Sequence, residues 1–232
     1  HVVQIDKMHQ GLTKILYALF GEQITAGVYG LYVPWWFIEG DAVVSETALS
    51  ESGRGRESFF EMEMRAQVLE NGDYSYDKAV HGSYKDFTTT HYNLGYYLVG
   101  YGRAKYGSEI WNKALNNVAR KPYSITPFSN GIKQISKLNK SEFYTHTITD
   151  LDSIWSDQDR KINKTSFQSI TNSSRYQDYI NPTPLNSHQV VSIKKEYDKL
   201  GVIIAIDKNG DEQRIIRPAQ YFSETLSVKN EL

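Results

Sequence analysis

The spacing of apolar residues changes once along this chain, and that change limits the fold more than any other feature. From His1 to about Asn163 apolar residues recur at helical intervals. Beyond Asn163 the period becomes two, as in strands with one face buried. The expectation is a mainly α chain with a small antiparallel β unit at its C-terminal end. Residues 1–163 form the helical portion. Residues 164–175, polar and rich in Ser, Thr and Asn, read as a linker, and residues 176–232 as the β unit.

Within the helical portion, Val2 to Leu19 reads as a first helix, broken or bent near Gly11, and Gly21 to Pro34 as a loop. Trp35–Leu49, Phe59–Leu69 and Thr88–Tyr106 are predicted helices, the last capped from a Thr run. Gly72 to Asp86 reads as irregular. Ser108–Arg120 is predicted as a helix with Ser108 as N-cap, followed by helices over Thr126–Leu138 and Ser141–Arg160. The strands are 189–193, 202–206 and 213–216, with a further candidate at 176–180. Asn209-Gly210 marks a hairpin between the last two main strands.

Composition excludes several function classes. The formal net charge is −1, so no global field draws the chain to nucleic acid or to an anionic membrane surface. Cysteine is absent, which removes disulfides and thiolate metal sites. No apolar run approaches the roughly 20 residues of a membrane span.

The stretch Val33 to Thr47, VPWWFIEGDAVVSET, carries the most chemistry. On a helix Glu39 and Glu46 share a face with Trp36 and Val43, a face that is normally buried. Ionised carboxylates stay there only with partners. The ordinary reading of Glu39 alone is a carboxylate near a helix start, favoured by the dipole.

The segment WWFIEGDAVVSE resembles the third-ligand helix of gluzincin zinc metallopeptidases, the aminopeptidase-like class. In that family a helix with H-E-x-x-H is followed by a W-x-x-E-G-x-A-type segment whose Glu binds the metal. The resemblance implies that Glu39 is a zinc ligand and that Glu46 lies behind the site, holding a ligand imidazole. It further implies that His1 is the second His of H-E-x-x-H. The first His and the general-base Glu would then precede His1. A second segment, HYNLGYYLVGYGRAKYG from His91 to Gly107, is similar to the family's Tyr-x-x-Gly helix. It implies that Tyr92, with Gly95 beside it, stabilises the tetrahedral intermediate; Tyr96 and Tyr97 on the same helix compete for that match. The tail from Tyr176 to Ile215 looks like one blade of a TolB-like β-propeller, a Pro ahead of the long strands and a turn of D-x-x-G type being its marks.

These resemblances set the functional expectation. The chain would be a piece of a longer zinc-dependent peptidase that hydrolyses peptide bonds with a metal-activated water, followed by a propeller. Zinc belongs to the complete motif and is expected to be weak or absent with this chain alone, which is expected to be inactive. The partner would be a peptide or protein substrate, in an exported or cell-envelope setting. The alternative is a non-catalytic module, a degenerate peptidase domain and propeller that bind polypeptide or cell-envelope partners. The four residues encoded before His1 discriminate the two.

Other motifs have plainer readings. Ser52-Gly53-Arg54-Gly55-Arg56 offers cations to a carboxylate but reads first as a solvated loop. Asp207 to Asp211 lacks the ligand spacing and distal Glu of a calcium loop and reads as a turn. Asn139, Asn163 and Asn172 head N-x-S/T triplets, which are frequent by chance.

Overall fold

The structure is a computed structural model that describes residues 1–171, 173–218 and 225–228; Asn172 lies outside the described residues. Ten α-helices, with one 3-10 turn at Arg54–Arg56, precede four strands among them. The helices are α1 (Val2–Asp6), α2 (Gly11–Phe20), α3 (Glu22–Tyr32), α4 (Trp35–Leu49), α5 (Ser58–Asn71), α6 (Tyr76–His81), α7 (His91–Tyr106), α8 (Glu109–Arg120), α9 (Pro127–Ser136) and α10 (Lys140–Lys161). The strands are β1 (Asp178–Pro184), β2 (Gln189–Glu196), β3 (Lys199–Asp207) and β4 (Glu212–Ile216). The chain is thus mainly helical with a small antiparallel sheet at its C-terminal end. Two compact units divide it: His1–Gly82 with Thr88–Ile162, and Ser83–Phe87 with Asn163–Leu232. Among the described residues no helix is long and apolar enough to cross a membrane.

The helical unit is built around aromatic side chains. Trp36 and Phe37 of α4 meet Trp111 of α8 and Phe128 of α9, with ring centroids 5.2–6.0 Å apart. Each such pair adds about 0.5–1.5 kcal/mol beyond simple burial. The polar edges are satisfied: the Trp36 indole N–H donates to the Tyr76 hydroxyl at 2.8 Å and that of Trp111 to the Val99 carbonyl at 3.1 Å. The longest helix, α10, starts with a capping box. Asn139 accepts from the Ser141 and Glu142 amides, and Glu142 reaches back to the Asn139 amide.

One helical detail follows the sequence expectation and two differ. The first helix is broken near Gly11 as expected, into α1 and α2, and Gly11 takes φ +59 at the junction. The segment read as a loop after Gly21 contains α3. Gly27 and Gly30 lower its helix propensity, but Thr25 and Tyr29, four apart, bury one stripe, and tertiary packing prevails. Likewise α6 forms within the stretch read as irregular, with the Ser75 hydroxyl accepting from the Lys78 amide.

In the second unit the strands form a meander, β1-β2-β3-β4, every pair antiparallel. The central strands bury Val191, Ser192 and Ile193 against Ile204, Ala205 and Ile206, while β4 is exposed throughout. Pro182 and Pro184 sit in the edge strand β1, where a missing N–H breaks no inner ladder. The register shifts between Ile180 and Thr183, where Asn181 is left-handed at φ +50. The hairpin at Asn209-Gly210 forms as expected: Gly210 has φ +86, and Asp207 Oδ1 accepts from the Asn209 and Asp211 amides.

Candidate metal centre

Pro34, with φ −65, leads directly into α4, whose first turns bury Trp36, Phe37 and Ile38. That anchoring fixes Glu39 and Asp41 on either side of Gly40. Gly40 faces Gly95 of α7, and a β-carbon on either glycine would collide with backbone of the other helix. The missing side chains let the two helices touch, and so bring the segment bearing Glu39 against the helix that begins His91-Tyr92.

His1 lies beside Glu39. Its Nε2 is 3.6 Å from Glu39 Oε2, and its Nδ1 is 3.0 Å from Gln4 Oε1. The Gln4 amide is fully committed. Its nitrogen donates to Asp41 Oδ2 at 2.8 Å and to the Ile38 carbonyl at 3.2 Å, and its oxygen accepts from the Tyr29 hydroxyl at 3.1 Å. An amide oxygen only accepts, so His1 Nδ1 must be the donor. In the neutral ring Nε2 then carries the lone pair. Asp41 in turn is paired with Arg103 of α7.

Both carboxylates retain only 16% of their side-chain exposure, so each requires a positive partner. Asp41 has the Arg103 guanidinium. Among the described residues the one ionic contact of Glu39 is the His1 ring. A separation of 3.6 Å is too long for a hydrogen bond. Two donors sharing a tetrahedral zinc, at bonds of about 2.0–2.2 Å, stand about 3.4 Å apart. Burial, and then the negative charge of Asp41 and Glu39, push the Tyr29 phenol well above its usual range, which keeps it a neutral donor to Gln4.

The residues present therefore fit part of a zinc site. They supply an imidazole nitrogen, a carboxylate oxygen and an acceptor that orients the ring, in the manner of ligand histidines generally. Among the described residues no group of three or more His, Cys, Asp or Glu is arranged to hold a metal.

Tyr92 and Glu46 meet through a third residue. Glu46 accepts from the Arg54 backbone amide at 3.2 Å, Nε at 3.1 Å and Nη2 at 2.9 Å. These bonds, the side-chain ones first, hold the Glu46 carboxyl below the usual carboxylate value. The same guanidinium lies over the Tyr92 ring, 5.2 Å from its centroid. The expectation for Glu46 was a ligand imidazole; the partner described for it is Arg54. The Gly-Arg-Gly-Arg loop has found its carboxylate within the chain.

Sequence reasoning missed Gln4, Tyr29, Asp41 and Arg103. The local signals were slight: Gln4 follows His1 by three positions, on the helical spacing that lets side chains meet, and Asp41 adjoins the Glu-Gly pair. No family model, curated protein or solved structure matches this chain.

Proposed function

We propose that the helical unit is part of a zinc-dependent peptidase, with His1 and Glu39 as two protein ligands of the metal. One observation carries the reading: the His1–Glu39 pair has the separation of co-ligands while Gln4 holds the opposite ring nitrogen. The likeness of WWFIEGDAVVSE to a third-ligand helix supports it. So does the place of Tyr92 at the start of the helix that packs on α4.

Each residue then has a task. Glu39 supplies charge from the rigid first half of α4. His1 presents Nε2, and Gln4 with Asp41 prevents the ring from turning or changing tautomer. Zinc, when bound, makes water a nucleophile near neutral pH. Tyr92 donates a hydrogen bond to the oxygen of the carbonyl under attack, where charge develops. Arg54, over the Tyr92 ring and tied to Glu46, restricts that phenol's motion. The reading further requires a general base and a third ligand besides His1 and Glu39.

The test is peptidase rate and chelator sensitivity in a protein extended upstream of His1 through its native residues. Tyr92→Phe should keep the metal and lose about 10²- to 10³-fold in turnover, the usual cost of one oxyanion donor. An upstream sequence other than H-E-x-x, with no hydrolysis, would instead favour a polypeptide-binding module.

A further inference from the structure

The structure assigns a second binding site, for the carboxylate of an N-acylated apolar amino acid, to the cavity between the starts of α4, α7 and α10. This cavity has a volume of about 400 Å³, with Trp35, Tyr76, Asp77, His81, His91 and Lys140 in its wall. That volume suits a small organic ligand. The site stands whether or not His1 and Glu39 hold a metal.

Lys140 carries the case. It is the first residue of α10, where the helix dipole is positive, so its own charge is poorly placed. Its Nζ lies 4.8 Å from the Tyr76 ring centroid, and its side chain is only partly exposed. Burial pushes the amine below its usual value, with Asp77 acting in the opposite direction. Among the described residues no carboxylate lies within ion-pair distance of it. Asp77, in the same wall, offsets only part of that burial and makes no ion pair with the amine, so the ammonium stays partly desolvated, a cost that a bound anion relieves.

The surroundings give the ligand its body. Trp35 is exposed at the rim, although Trp36 and Phe37 beside it are core residues. A second hollow of about 270 Å³, walled by Ile125 and Phe128, shares Leu31, Tyr32 and Lys140 with the first. The amine therefore stands between two hollows. A carboxylate flanked by a side chain on one side and an acyl group on the other matches that layout. Exposed His81 and His91 add ring N–H donors. The same chemistry occurs in a free N-acyl amino acid and in the C-terminal residue of a peptide.

Calorimetric titration separates these outcomes. The probes are N-acetyl-phenylalanine, its amide, and a tetrapeptide ending in Phe with a free or amidated terminus. At least one free acid should bind, with its amide at least tenfold weaker. Tighter binding of the acetylated amino acid identifies a small metabolite, and tighter binding of the tetrapeptide a peptide C-terminus. Lys140→Met should weaken the acid at least tenfold, and Lys105→Met, a change outside both hollows, should not. Should Lys140→Met fail to fold, Trp35→Ala at the exposed rim should also weaken the acid about tenfold. Equal binding of acid and amide, or no binding of either acid at millimolar concentration, overturns the assignment.

Discussion

A β-carbon added to Gly95 of α7 would stand 1.8 Å from the Trp36 carbonyl oxygen and 2.8 Å from the Gly40 α-carbon of α4. Neither contact involves a flexible side chain, so relief requires the helices to separate. Gly95→Ala is expected to cost about 3 kcal/mol, at the upper end of overpacking changes. Chemical denaturation measures it. Gly100→Ala is the control, since its added atom meets only a Val44 methyl at 3.9 Å. A Gly95→Ala midpoint equal to that of the control would mean that the two helices do not pack through this glycine pair.

The Glu46–Arg54 pair should respond to acid in a defined direction. The folded Glu46 carboxyl is depressed, so the unfolded chain binds its proton first as pH falls. Its contribution to stability is complete above the ordinary value of 4.5 and is lost as pH falls through the lower folded value. The stability difference between wild type and Glu46→Gln should therefore shrink over the acid interval that opens below 4.5. A difference that stays constant over that interval would show that the pair adds nothing to the fold.

Gln4 should govern the imidazole rather than the fold alone. Gln4→Leu removes the acceptor of His1 Nδ1 and leaves the Tyr29 hydroxyl and Asp41 short of partners. In the upstream-extended protein, losing such an outer partner should weaken zinc about 10- to 100-fold. Competition with a chromophoric chelator reads this directly. Gln4→Glu restores an acceptor for His1 but sets a second carboxylate against Asp41, so it should recover part of the affinity at some expense of stability. Zinc affinity unchanged in Gln4→Leu would detach Gln4 from the site.

The contrast between what could and could not be read from the chain follows from the range of each interaction. α4 was legible at its exact bounds, since Pro34 sets its start and the apolar run WWFI its buried face. The β3–β4 hairpin was legible because Asn209-Gly210 is local turn chemistry. α3 was not, because its glycines argued against helix while its buried Thr25 and Tyr29 depend on distant packing. Ser108 precedes α8 as expected, yet it lies in the helical region with no side-chain cap. The same divide runs through the site. His1 and Glu39 were suggested by motif, but the Tyr29–Gln4 and Arg103–Asp41 contacts span 25 and 62 residues and leave no periodic trace.

The most direct test of the central claim is zinc content after exhaustive dialysis, in the protein extended through the residues encoded before His1. With H-E-x-x in place, the wild type should retain about one zinc per chain, the occupancy of a three-ligand site. Glu39→Ala should retain almost none while keeping its helical circular dichroism. A Glu39→Ala protein that keeps one tightly held zinc would contradict the account, because the carboxylate 3.6 Å from His1 would then be no ligand.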